Sequence, residues 1–106
     1  MYRLTTPTIS FSFPDYIDMT QASDVYITFT DKNNHILANK TGSSLNISDH
    51  SVSTILSQED TVNFPDNRMI KAQVNWTYQD QGVLKRACTE VVNLMVMENL
   101  YSQIIE

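Results

Sequence analysis

The sequence is short of three things: cysteine, positive charge and long apolar runs. Cys88 is the only cysteine, so no disulfide can form within the chain, a secreted disulfide scaffold is excluded, and the core must hold by packing. Seven Lys and Arg stand against twelve Asp and Glu, a net charge of -5. Phosphate-backbone ligands are bound by clustered basic residues, so nucleic acid is not an expected partner. No apolar run approaches the ~18 residues of a membrane span, and the first residues, Met1 to Pro7, lack the charged and apolar regions of a secretion signal. The expectation is a chain made and folded in the cytosol, with no membrane partner.

What is present is β-sheet patterning. In 106 residues, with 42% hydrophobic and 18% charged content, there is enough chain for one globular unit with its own core. The strongest signal runs from Met69 to Met97. Ile70, Ala72, Val74, Trp76 and Tyr78 alternate with Lys71, Gln73, Asn75 and Thr77, which puts the apolar set on one face of a strand. Gln79-Asp80-Gln81-Gly82 supplies turn chemistry, and Val83 to Met97 returns as a second β-prone run. A three-residue loop Asp80-Gln81-Gly82 sets Tyr78 opposite Leu84, Trp76 opposite Arg86 and Val74 opposite Cys88. That register puts Arg86 and Glu90 on the apolar face, so either the two charges lie at its rim or, the favoured reading, a bulge between Lys85 and Glu90 shifts the phase before Val92, Leu94 and Val96 turn inward.

Shorter strands precede this hairpin. Thr8 to Phe13 alternates Ile9, Phe11 and Phe13 against polar residues and closes at Pro14, which suits a strand near an edge. Asp15 to Ser23 has no period and is a connection with one helical turn. Asp24 to Thr30, a turn at Asp31-Lys32-Asn33-Asn34, and Ile36 to Lys40 form a hairpin. Leu45 to Ser48 and Val52 to Leu56 are two more short strands. Ser57 and Asp60 can share a capping box at the start of a brief helix, and Pro65-Asp66-Asn67 delivers the chain into the long strand. Six or seven strands with a short helical crossover predict an all-β, immunoglobulin-like antiparallel β-sandwich over residues 1–97.

Residues 98–106 are read as a C-terminal docking tail. Leu100, Tyr101, Ile104 and Ile105 fall on one face of a helix too short to be stable alone, so the tail either packs back on its own sandwich or binds another chain, and these four are the candidate partner-binding residues. Other candidates are weaker. His35 and His50 lie in turns without further ligands at metal spacing, Cys88 lacks a neighbouring base and reads as a small buried residue, and Trp76 reads as core. Asp15, Asp18, Asp24 and Asp31 match no calcium loop and read as solubilising turn residues. No catalytic, metal or cofactor site is expected, and the chain reads as a non-enzyme.

The segments Met1-Tyr2-Arg3-Leu4-Thr5-Thr6-Pro7-Thr8, Phe11-Ser12-Phe13-Pro14, Leu56-Ser57-Gln58-Glu59-Asp60-Thr61-Val62-Asn63-Phe64 and Lys71-Ala72-Gln73-Val74-Asn75 resemble a family of small proteins. Its members are encoded among the structural genes of tailed bacteriophages and prophages of Gram-positive gut bacteria. The chain departs from the family pattern at Asn75-Trp76, where a more basic strand is usual, and in its longer, more apolar end from Leu94. The resemblance implies a virion structural protein, made in the bacterial cytoplasm, whose partners are other virion proteins or further copies of itself. Two other functions fit the sequence: a carbohydrate-binding or host-adhesion module of a phage fibre or baseplate, and a small cytosolic regulatory protein.

Overall fold

The computed structural model describes residues 1–106. Eight strands form two antiparallel sheets. One holds β1 (Thr8–Ser12), β5 (Ser51–Ile55) and β4 (Leu45–Ser48) in the order β1-β5-β4. The other runs β3 (Ile36–Thr41), β2 (Asp24–Thr30), β6 (Arg68–Asp80) and β7 (Val83–Cys88), with β8 (Val92–Val96) also paired to β6. This strand order is that of an immunoglobulin-like sandwich, the class the sequence predicts, but with eight strands in place of six or seven, because the run Val83 to Met97 is divided into β7 and β8. No helix is long and apolar enough to cross a membrane.

The thirteen-residue β6 is the hub, with β2 along one side and β7 and β8 in succession along the other. Its alternation turns Ile70, Ala72, Val74 and Trp76 inward against Phe11, Phe13, Val52 and Leu56 from the facing sheet. Each large side chain so buried contributes about 1.5–3 kcal/mol. Trp76 meets Phe13 edge to face at 5.4 Å, and Phe64, from the crossover, lies 6.0 Å from Phe29. The short helix α1 (Gln58–Thr61) begins with the expected capping box: the Asp60 amide donates to Ser57 Oγ and the Ser57 amide to Asp60 Oδ2.

The hairpin register differs from expectation by one residue. The turn has two residues, Gln81 and Gly82, both at positive φ (51° and 80°), rather than three. Such a turn matches the twist of the flanking strands. It pairs Asp80 with Val83, Tyr78 with Lys85, Trp76 with Ala87 and Asn75 with Cys88. Arg86 and Cys88 therefore fall on the outer face. There the Arg86 guanidinium donates to Asn75 Oδ1, at 2.9 Å from Nη2, and Cys88 is exposed rather than buried.

The bulge exists, but at Thr89–Val91, where three residues oppose Gln73 and Val74. It does not serve to hide Arg86; it changes the phase between β7 and β8. Thr89 closes the gap in the ladder: its amide donates to the Val74 carbonyl, and its hydroxyl accepts from the Val74 amide at 3.1 Å. Beyond it Leu94 and Val96 face inward beside Ile70 and Arg68.

The chain's first residues run parallel to the end of β8. The Met1 amino group donates to the Met95 carbonyl, the Met97 amide to the Met1 carbonyl and the Arg3 amide to the Met97 carbonyl. Nothing in the period of the sequence indicates this pairing.

Candidate functional site

Residues 98–106 form no helix. A segment so short gains too little from its own hydrogen bonds to offset nucleation, and side chains from the sandwich take its backbone groups instead. The Gln58 side-chain amide donates to the Ile105 carbonyl and accepts from the Ile105 amide, both at 2.9 Å, as a neighbouring strand would. Asn99 donates to the Arg3 carbonyl while its Oδ1 accepts from the Tyr101 amide. Leu100, Tyr101, Ile104 and Ile105 thus share no helical face. The tail is tied to the sandwich at Glu98, Asn99 and Ile105, through Asn67, the Arg3 carbonyl and Gln58, while Leu100 is 96% exposed, Ile105 68% and Tyr101 60%, with Ile104 the least so.

A second feature lies near the other end of β6, against the connection between β1 and β2. That connection is pinned. The Ile17 amide donates to the Pro14 carbonyl, the Met19 amide to the Asp49 carbonyl, and His50 Nδ1 lies 2.8 Å from the Ile17 carbonyl, to which it donates. His50, which the sequence places only in a turn, is therefore a structural tie. Met19 is buried beneath, and Asp18 Oδ1 accepts from the amide and hydroxyl of Thr20 to start a single 3-10 turn at Met19–Gln21. The Thr20 hydroxyl, and then its amide, hold the Asp18 carboxyl below its ordinary range.

Between this connection and the hairpin lies an open groove of about 620 Å³. Tyr16, Ile17 and Ala22 line it from the connection and Trp76, Tyr78 and Ala87 from the hairpin, with Asp18, Gln21 and Gln79 as its polar groups. The sequence reading missed it. Tyr16 is an aromatic residue in a polar stretch without period, and that is the one signal that points to the groove.

The other candidates stay apart. Asp31 organises its turn, accepting from the amides of His35 and Asn33, and the His35 amide is the main cause of its lowered pKa. No group of three or more His, Cys, Asp or Glu is placed to hold a metal ion. No family model matches the chain, and no curated protein is significantly similar to it.

Proposed function

We propose that the protein is a non-enzymatic structural subunit of a bacteriophage virion that assembles with further copies of itself, or with other virion proteins, through its C-terminal tail. The observation that carries this reading is the tail's inverted arrangement. It is tied to the sandwich by the bonds between Gln58 and the Ile105 backbone and by the bond from the Asn99 side chain to the Arg3 carbonyl, while Leu100, Tyr101 and Ile105 are exposed to solvent. An apolar cluster held in place but uncovered is the physical form of an association site. Further exposed apolar groups stand on the outer sheet face, where Met69 pairs with Met95. The bacteriophage assignment rests on the resemblance of the opening, crossover and β6 segments.

The test is the light-scattering mass of the intact chain and of a chain lacking Asn99 to Glu106. Deletion is expected to leave the sandwich folded and to lower the mass of the assembly. An unchanged mass would remove the tail from the assembly contact.

A further inference from the structure

We propose that the groove between Tyr16 and Tyr78 is a binding site for a neutral saccharide. This goes beyond the assembly reading and does not depend on it, because the groove and the tail lie toward opposite ends of β6.

Three properties of the groove define its ligand. The first is aromatic surface. Tyr16 stands 86% exposed on a connection that is itself fixed by backbone and His50 hydrogen bonds, an ordering cost met before any ligand arrives. Tyr78 and the largely buried Trp76 line the groove from β6. Aromatic rings stack on the apolar C–H faces of a sugar. The second is room: two alanines, Ala22 and Ala87, are among the lining residues, where larger side chains would take up space. The corrected register is what puts Ala87 there, opposite Trp76.

The third property is the polar set. Asp18 uses Oδ1 on Thr20 and keeps Oδ2 free, and the side-chain amides of Gln21 and Gln79 make no hydrogen bond within the protein. Together they offer acceptors and donors, which is what hydroxyl groups require, since each hydroxyl both donates and accepts. No Lys, Arg or His lines the groove, so it offers no counter-charge to a phosphate, sulfate or carboxylate. A proline-rich peptide also docks in aromatic grooves, but presents mainly carbonyl acceptors. The free Asp18 oxygen would face them without a proton to share, and that favours the saccharide.

Trp76 is the sole tryptophan, so its fluorescence reports on the groove without interference. The intact chain is titrated with tetrasaccharides of glucose, N-acetylglucosamine, galactose and mannose, and with an octaproline peptide, each to about 10 mM, a range that covers weak binding. At least one neutral sugar is expected to shift the emission saturably. Tyr16→Ala should weaken that binding by about tenfold or more, and Ala87→Leu should abolish it, both with an unchanged circular dichroism spectrum. Three results would each overturn the proposal: no saturable shift with any of the four sugars, a shift with octaproline alone, or sugar binding indifferent to Tyr16→Ala.

Discussion

Lys40 Nζ lies 2.6 Å from Asp60 Oδ2, joining the edge strand β3 to the crossover helix. Both side chains are about four-fifths buried. Lys40 sits opposite Ile27 and so takes the inward phase of its strand, at the margin of the core. Asp60 serves twice: the oxygen that meets Lys40 also accepts from the Ser57 amide in the capping box.

Removing either partner leaves the other partly buried and unpaired. Asp60→Ala and Lys40→Ala are each expected to lower stability by about 1–3 kcal/mol, the aspartate change more, because it also removes the cap. Urea denaturation of the two variants and of the double variant checks this. A double variant no worse than Asp60→Ala alone would show that the pair acts as a unit.

The same pair sets part of the acid response. Burial raises the Asp60 pKa, but the bonds from Lys40 and Ser57 outweigh it and leave it below the ordinary 3.8. A carboxylate with a folded-state pKa below its unfolded value adds stability that is present in full above the unfolded value and lost as pH falls through the folded one. The stability gap between the parent chain and Asp60→Asn should therefore be widest near neutral pH and narrow on acidification below the ordinary aspartate range. Denaturation midpoints taken across that range measure it; a gap that grows toward low pH would show that the pairing does not hold.

The bulge depends on one hydroxyl. Thr89→Val keeps the side chain's shape but leaves the Val74 amide without its acceptor, and about 1 kcal/mol or more of stability should be lost. Thr89→Ser keeps the hydroxyl and should recover most of it. Equal losses in the two variants would mean that the hydroxyl does not replace the strand's own ladder there.

At the hairpin tip, Gly82 has φ near 80° and open space around it, so any cost of Gly82→Ala comes from backbone strain and not from a clash. A loss of about 1 kcal/mol is expected by thermal denaturation, whereas Gln81→Asn, better suited to positive φ, should be neutral or stabilising. A three-residue loop would reverse neither expectation at Gly82 but would place Tyr78 beside Leu84. Cross-strand nuclear Overhauser contacts between Tyr78 and Lys85 decide the register directly.

Trp76→Ala should cost about 3–5 kcal/mol, as a large truncation in the core beside Phe13. A loss below about 1 kcal/mol would mean that the ring contributes little to packing.

The parts of this fold that were legible in the sequence are those where a period or a local signature repeats. Ile70 to Tyr78 and Ile9 to Phe13 announce their inward faces, and Ser57 with Asp60 announces a capped helix start. What was not legible depended on choices between near-equal backbone states. Whether Asp80 belongs to the turn or the strand is settled by the φ of Gln81, and one residue of difference carries Arg86 and Cys88 to the other face. A three-residue loop turns Arg86 and Glu90 toward the core and calls for a bulge beside them; the two-residue turn puts Arg86 on the outer face, and the bulge lies further on, at Thr89–Val91. The tail was readable as apolar and in need of a seat, but its helical spacing was coincidental, and Gln58 takes the backbone groups of Ile105. The groove has no period at all, since it joins Tyr16 to residues some sixty positions away.

The central claim is that the exposed side chains of the tail drive assembly, and sedimentation velocity on a substituted chain tests it most directly. Leu100→Ser, Tyr101→Ser and Ile105→Ser in combination remove the apolar groups but keep the backbone bonds to Gln58 and Asn99. Across a concentration series, the account predicts oligomers for the parent chain that grow with concentration and a monomer for the triple variant with an unchanged fold. A parent chain that stays monomeric at every concentration, or a variant that assembles equally well, would contradict it.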